Sequence, residues 1–246
     1  MTERQLSGKT ALITGSGRNI GRAIAVGLAR MGCNVVVNGS RDRQACEATA
    51  EAAAALGVET LVAMGDVGKA ASVTTIAEAA LGRFGAVDIL VNNAAVRPHK
   101  PFLEMTDEDW QKVIDLDLTA SFYTARAFLP GMLDRGWGRV INLTGMKAIR
   151  GYGEGAPISA AKHGLWGLAK ALSTEFAGRG ITANAVSPGP TRVEGRSGDD
   201  PKQLAGIPAG FMAEPEDIAA VVCFLASPAG RFVTGQMINA NGGGAT

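Results

Sequence analysis

The chain has 246 residues, of which 46% are hydrophobic and 19% are charged, a composition that excludes a disordered or low-complexity protein. Its formal net charge is +1, which argues against action on nucleic acid or an anionic membrane, because both need a clustered cationic face. The three cysteines show no metal-ligand or disulfide pattern, which favours a reducing compartment. No apolar run reaches membrane-spanning length and the first residues lack a signal core, so we expect a cytoplasmic protein without a membrane partner.

Short apolar runs alternate with helical segments along the whole chain. The predicted strands are 10–14, 34–37, 60–64, 88–91, 139–143, 181–186 and 236–239, and the predicted helices are 19–31, 41–56, 69–84, 107–135, 159–178 and 215–226. The strands are apolar at successive positions, as expected when helices cover both faces of a sheet. The pattern therefore predicts an α/β fold, a Rossmann-like doubly wound sheet of about seven mostly parallel strands. No linker divides the chain, so we expect one domain over residues 1–246.

The first predicted strand leads into a loop rich in glycine and then into a helix. This loop is Gly15, Ser16, Gly17, Arg18, Asn19, Ile20 and Gly21. Glycine lets backbone amides approach a pyrophosphate, and a helix N-terminus supplies partial positive charge. The position of the loop after the first strand favours a dinucleotide site over an ordinary turn.

Several motifs, in the same order, resemble those of the classical short-chain dehydrogenases/reductases over almost the whole chain. Asn19 stands where that family has a glycine, and asparagine tolerates a left-handed backbone better than most residues. The resemblance implies that Asp66 and Val67 contact adenine, and that Asn93 and Ala94 line the cofactor. It also implies that Pro188, Gly189 and Thr191 lie beside the nicotinamide. Relatives commonly form dimers and tetramers, so the resemblance implies a homo-oligomer.

The residues after the second strand favour NADP(H) over NAD(H). An acidic residue there usually binds the ribose 2′-hydroxyl of NAD, but this position holds Gly39. Ser40, Arg41 and Arg18 suit a 2′-phosphate through charge-assisted hydrogen bonds. The alternative is that both arginines are solvated surface cations and that Asp42 partly neutralises the site.

The resemblance implies four catalytic side chains, a tyrosine, a lysine, a serine and an asparagine. The lysine is Lys162. The family spacing places Ile158 at the tyrosine position, Gly145 at the serine position and Asp117 at the asparagine position. Ile158 has no exchangeable proton and Gly145 offers only backbone groups, so the usual acid-base mechanism requires other residues.

Three functions stay open. The preferred one is an oxidoreductase for a carbonyl or alcohol substrate with Lys162, Asp117 and Tyr152 as catalytic residues and His99 as a further candidate. The second is non-redox chemistry, such as proton abstraction or a lyase reaction, on an anionic small molecule. Its substrate would be bound by loop cations, namely Arg97, His99, Lys147, Arg150, Arg192 and Arg196. The third is an NADP(H)-binding or assembly protein without catalysis. Neither histidine has ligand-spaced partners, so no metal site is predicted.

Overall fold

The structure, a computed structural model, describes residues 4–195 and 204–245. Within these residues, seven strands form one sheet in the order β3-β2-β1-β4-β5-β6-β7, and every neighbouring pair is parallel. The strands are β1 (Thr10–Ile13), β2 (Asn34–Gly39), β3 (Thr60–Met64), β4 (Ile89–Asn92), β5 (Gly138–Leu143), β6 (Ile181–Pro188) and β7 (Met237–Ala240). The predicted Rossmann-like sheet is confirmed.

Helices cover both faces of this sheet. They are α1 (Asn19–Arg30), α2 (Arg43–Ala54), α3 (Ala70–Phe84), α4 (Asp107–Ile114), α5 (Ala120–Asp134), α6 (Met146–Arg150), α7 (Ala156–Phe176) and α8 (Pro215–Ala226). Ile13 packs in a cluster with residues of α1, α2 and α8, whereas its neighbour Leu12 packs with residues of α3, α5 and α7. Because adjacent strand residues face opposite layers, both must be apolar, which explains the uninterrupted apolar runs. No helix in the described residues could cross a membrane.

The long helix predicted over 107–135 contains a change of helical type. A π-helical turn, Asp115–Thr119, joins α4 to α5. Asp117 lies in this turn and is buried. Such turns insert one extra residue into an α-helix and occur often at functional sites.

Two helices begin at other residues than predicted, for local reasons, and one further helix is present. α7 begins at Ala156 rather than 159, because Pro157 is well suited to the first turn, where a backbone N–H has no helical partner. α2 begins at 43 rather than 41, because the side chain of Asp42 caps it by accepting the N–H of Ala45 at 3.0 Å. The segment after β5 was predicted without a helix and contains α6.

The connection between α7 and β6 gives a test of the packing. Gly180 has φ +81°, and a Cβ there would lie 2.0 Å from the carbonyl oxygen of Gly136. We expect Gly180→Ala to lower the free energy of unfolding by at least about 2 kcal/mol, because backbone strain and a backbone clash add. Gly178→Ala is the control, since a Cβ at that position meets no atom within 4 Å. Urea unfolding followed by circular dichroism measures the stability of both variants. Equal unfolding midpoints would refute the close packing of Gly180 against Gly136.

Candidate active site

The glycine loop lies where the strand order reverses, between β1 and β4, at the carboxyl edge of the sheet. In open α/β sheets this is the usual ligand crevice. A Cβ on Gly21 would lie 2.4 Å from the carbonyl oxygen of Gly15, and one on Gly15 would lie 2.9 Å from the Cα of Ala94. The loop is therefore packed too closely for side chains at these two positions, and its backbone lines the crevice.

The N-terminus of α1 is open to an anion. Arg18 is the N-cap residue but makes no capping hydrogen bond with its side chain, and the first turn of α1 contains no acidic residue. The backbone N–H groups at this end have no partner within the helix, and the helix dipole favours negative charge there. These groups fit the pyrophosphate of a dinucleotide.

Asn19 occupies the left-handed region with φ +49°, as its glycine-like position in the loop requires. Its side-chain oxygen accepts a hydrogen bond from the backbone N–H of Glu194 at 3.0 Å. The guanidinium of Arg22 forms an ion pair with the carboxylate of Glu194 at 3.5 Å. The loop after β6 is thereby tied to the glycine loop, on one side of a cavity of about 530 Å³ that α2 also lines.

Polar side chains at the ends of β1, β2 and β4 hold the glycine loop in place. The amide of Asn93 donates to the backbone oxygens of Thr14 and Gly15, both at 2.9 Å. The hydroxyl of Thr14 accepts the N–H groups of Asn93 and Ala94, and Asn38 accepts the N–H of Gly15. The motif pattern identified Asn93 and Ala94 but not Asn38 or Thr14 as site residues. An asparagine inside an otherwise apolar strand was the signal for Asn38.

The remaining residues predicted to bind the cofactor lie along the same edge. Asp66 and Val67 follow β3, and the Asp66 carboxylate accepts the N–H of Gly68 at 3.1 Å. Pro188 ends β6, and the N–H of Gly189 donates to the β7 residue Ala240 at 2.9 Å. The hydroxyl of Thr191 donates to the carbonyl oxygen of Gly189 at 3.0 Å.

At the far end of the crevice, Ser40 and Arg41 are exposed at the start of the loop before α2, and Arg18 is exposed on the glycine loop. In the part of the chain that the structure describes, neither arginine forms an ion pair. Asp42, which could partly neutralise this site in the alternative interpretation, caps α2 by accepting the N–H of Ala45.

Lys162 of α7 and Asp117 of the π-helical turn form a buried pair. The Lys162 ammonium lies 3.4 Å from Oδ2 of Asp117, and the two residues are 4% and 1% exposed. Lys162 also donates to the carbonyl oxygen of Leu143 at 3.1 Å, and Oδ1 of Asp117 accepts the N–H of Val96 at 2.8 Å. The pair therefore lies between the ends of β4 and β5, beside the glycine loop.

Burial acts on both members of the pair. It raises the pKa of Asp117 and lowers the pKa of Lys162, and the attraction between the two charges opposes both shifts. Oδ2 of Asp117 is buried and receives no hydrogen bond from the described atoms. It can accept a hydrogen bond from a further donor, such as a hydroxyl group or water.

A buried network that the sequence motifs did not identify positions this region. The amide of Asn92 donates to Asn142 at 2.9 Å and its oxygen accepts the hydroxyl of Thr124 at 2.8 Å. Asn142 donates in turn to the carbonyl oxygen of Leu165 at 3.1 Å. These bonds join β4 and β5 to α5 and α7, so the helix that carries Lys162 is fixed against the sheet.

Tyr152, the third residue predicted to be catalytic, lies in the loop between α6 and α7 and is half-buried. Its hydroxyl contacts the ring of His99, 3.1 Å from Nδ1, and the rings meet edge to face with centroids 4.9 Å apart. The N–H of Lys100 donates to the carbonyl oxygen of Glu154 at 2.8 Å. The loop after β4 and the loop before α7 are therefore joined, and the catalytic role of Tyr152 stays a prediction.

The loop cations have different surroundings. Arg192 forms an ion pair with Glu214 at 3.0 Å, whereas Arg97 and Arg150 are exposed. Arg196 and the side chain of Lys147 lie outside the described part of the structure.

Comparison with known proteins gives matches over nearly the full length. A family profile described as Enoyl-(Acyl carrier protein) reductase matches residues 15–245. A 3-oxoacyl-[acyl-carrier-protein] reductase of Staphylococcus epidermidis is 39% identical over 96% of this chain and 98% of its own length. The chain belongs to the classical short-chain dehydrogenase/reductase family.

Other relatives of this chain are described as dehydrogenases. The D-beta-hydroxybutyrate dehydrogenase of Cupriavidus necator is 37% identical over 97% of this chain and 98% of its own length. A solved structure from Sinorhizobium meliloti, provisionally assigned as a short-chain alcohol dehydrogenase, has a TM-score of 0.91 at 32% identity. It covers 98% of this chain and 97% of its own. The relatives are thus oxidoreductases. Within the described residues, no cluster of three or more histidine, cysteine, aspartate or glutamate side chains could hold a metal ion.

The buried pair predicts a stability coupling in this short-chain dehydrogenase/reductase. We expect Lys162→Met to lower the free energy of unfolding by about 3–5 kcal/mol, because it leaves the Asp117 carboxylate buried without its cation. The combined Lys162→Met and Asp117→Asn variant should recover much of that loss, since it buries no net charge.

The stabilities of the same two variants should also depend differently on pH. The pKa of Asp117 is raised in the folded protein, so the folded state binds its proton more tightly than the unfolded state does. The stability of Lys162→Met should therefore rise as the pH falls towards the ordinary carboxyl pKa. The double variant has no carboxyl group at position 117, so its stability should lack this dependence on pH. Urea unfolding at several pH values measures both effects, and simple additivity of the two substitutions would contradict the coupling.

Proposed function

We propose that the protein is an NADP(H)-dependent oxidoreductase that interconverts a carbonyl compound and an alcohol with catalytic residues other than the family's usual serine and tyrosine. The observation that carries the proposal is the buried Lys162–Asp117 pair beside a glycine loop shaped for a dinucleotide. The names of the relatives, a 3-oxoacyl reductase and a hydroxybutyrate dehydrogenase, support redox chemistry between oxo and hydroxy groups.

The crevice offers groups for every part of such a cofactor. Backbone N–H groups at the start of α1 would hold the pyrophosphate, Asp66 and Val67 the adenine, and Lys162 the nicotinamide ribose. When bound, the dinucleotide supplies or accepts the hydride. The chain's own residues bind and orient the substrate and move the proton.

The preference for NADP(H) rests on the end of β2. A Cβ on Gly39 would lie 2.5 Å from the sulfur of Cys46, so this packing opposes an acidic side chain at the position that usually recognises NAD. The adjacent Ser40, Arg41 and Arg18 supply a hydroxyl and two guanidinium groups, which suit a phosphate.

Arg41 provides a test of this preference. We expect Arg41→Ala to weaken NADPH binding about ten- to a hundredfold, the scale of a hydrogen bond to a charged group, and to leave NADH binding unchanged. Arg43→Ala is the matched control. It removes the same charge two residues after Arg41, and the Arg43 guanidinium already pairs with the Glu47 carboxylate at 3.5 Å. Fluorescence titration with both cofactors measures the effect. Equal losses for NADPH and NADH, or equal losses in the two variants, would argue against a 2′-phosphate site here.

The proton at the substrate oxygen needs a donor other than residue 158. Ile158 lies one helical turn before Lys162 on the same face of α7 and is 3% exposed, so this wall of the site is apolar. At the serine position, Gly145 has φ +155°, a backbone conformation that favours glycine. Two groups can replace the missing hydroxyl groups. One is Lys162, whose pKa burial lowers, and the other is Tyr152.

Tyr152 and His99 form the more direct proton route. The Tyr152 hydroxyl contacts the imidazole of His99, which is exposed to solvent. An imidazole ring has two nitrogens that donate or accept hydrogen bonds, so His99 can pass a proton from solvent to the tyrosine after each turnover. Lys162, held by Leu143 and Asp117, then acts mainly on the cofactor.

Tyr152→Phe tests this route. We expect kcat to fall by about two to three powers of ten, the scale of general acid catalysis, with an unchanged dissociation constant for NADPH. The chain has two tyrosines, so Tyr123→Phe on α5 is a matched control that should keep full activity. Steady-state kinetics with a reducible carbonyl compound measure both. Full activity of Tyr152→Phe would show that Tyr152 is not the proton donor and would assign that role to Lys162.

The decisive experiment for the function as a whole is incubation with NADPH and a panel of carbonyl compounds, while the absorbance of the reduced cofactor is followed. Turnover supports the proposed oxidoreductase. Tight NADPH binding without turnover would favour a cofactor-binding or assembly protein. The observation that favours this alternative is Ile158, which has no exchangeable proton at the tyrosine position. Product formation without any cofactor would favour non-redox chemistry.

We also propose a homo-oligomer built from one domain per chain. The side chains of Leu103 and Phe232 are 96% and 97% exposed, and Phe102 is 67% exposed. Exposed apolar side chains of this size are typical of association surfaces.

A further inference from the structure

Arg97 is held at the catalytic pair by the backbone. The N–H of Val96, the residue before it, donates to Oδ1 of Asp117 at 2.8 Å. Asp117 in turn pairs with Lys162 at 3.4 Å. The Arg97 side chain therefore starts next to the buried pair, in the loop after β4, and is exposed to solvent.

The charge of Arg97 is not balanced within the described structure. Lys100, three residues later in the same loop, pairs with Asp109, and this hydrogen bond lowers the pKa of Asp109 to about 2. Asp117 and Lys162 neutralise each other. Arg97 forms no ion pair with any described residue, so no described carboxylate balances its positive charge.

The field of Arg97 reaches the pair. Burial is the main cause of the lowered pKa of Lys162, and the Arg97 guanidinium lowers it further. The same charge favours the ionised form of Asp117. An anion bound at Arg97 would offset this field and thereby favour the ammonium form of Lys162.

We propose that Arg97 binds the carboxylate of the substrate, and that the substrates are short oxo acids and the corresponding hydroxy acids. A guanidinium presents two parallel N–H groups that match a carboxylate in a bidentate arrangement. The single guanidinium of Arg97 carries one charge, which matches a carboxylate monoanion better than a phosphate dianion. Because Arg97 is next to the pair along the backbone, the carboxylate and the reacting carbon are separated by few atoms. This inference rests on the proposed oxidoreductase function.

The test compares acids with their own esters. The probes are 2-oxo and 3-oxo acids of four to six carbons and their methyl esters, with NADPH and the complete protein. We expect kcat/KM for an acid to exceed that for its ester by about ten- to a hundredfold, the scale of a charge-assisted hydrogen bond. Equal values for the acids and their esters would overturn the proposal.

Variants at two cations of the same loop sharpen the test. Arg97→Gln should remove most of the advantage of the acid and change turnover of the ester by less than about threefold, because only the acid uses the guanidinium. Lys100→Gln is the matched control, since its charge is already neutralised by Asp109, and it should keep the preference for the acid. An equal loss for acid and ester in Arg97→Gln would show a structural role and overturn the proposal.

The binding step separates this inference from the proposed function. If no probe is reduced, calorimetric titration of the oxo acids into the protein with NADP+ tests whether the carboxylate site exists. Saturable binding of an acid, lost in Arg97→Gln and kept in Lys100→Gln, supports the carboxylate site although the redox proposal fails. An acid that binds equally well to the wild type and to Arg97→Gln, or that does not bind, overturns the carboxylate site.

Discussion

The burial of one lysine ammonium and one aspartate carboxylate is the constraint on which the site depends. Moving a charge from water into a protein interior costs several kcal/mol, and mutual attraction offsets this only with good geometry and additional hydrogen bonds. Here the carbonyl oxygen of Leu143 and the N–H of Val96 supply those bonds. The ends of β4 and β5, the π-helical turn and α7 must therefore keep their relative positions.

The polar interior beside the pair serves that requirement. Asn92, Asn142 and Thr124 are buried and bonded to one another. A buried amide without partners is expensive, so each bond in the network restricts the next one and the network fixes a single arrangement. Short loops at the sheet edge carry groups of varied chemistry around this network. This division explains how a family can keep its cofactor crevice while the residues around the substrate change.

The fold could be predicted from the sequence because its signals are local. Apolar residues at consecutive positions, such as Leu12 and Ile13, indicate strands covered on both faces, and the glycine loop marks the first β-to-α turn. The residues proposed to bind the cofactor could be placed along one sheet edge for the same reason, since they follow strands at fixed spacing. The contact between Tyr152 and His99 was not predictable, because 53 residues separate them and two loops must meet. Asn38 was missed since its role is to bond loop backbone, and Thr14 was not assigned such a role although it begins the glycine motif.

The π-helical turn at 115–119 has a consequence for how this segment can change in length. In an α-helix each residue advances the chain by about 100° around the axis, since a full turn takes 3.6 residues. Removing a single residue from the turn would swing the whole of α5 by roughly that angle against α4. The apolar stripe of α5 would then leave the sheet, and Asp117 would leave Lys162. A substitution in this segment leaves the rotation of α5 relative to α4 unchanged, whereas a single deletion or insertion would disturb the core and the site together.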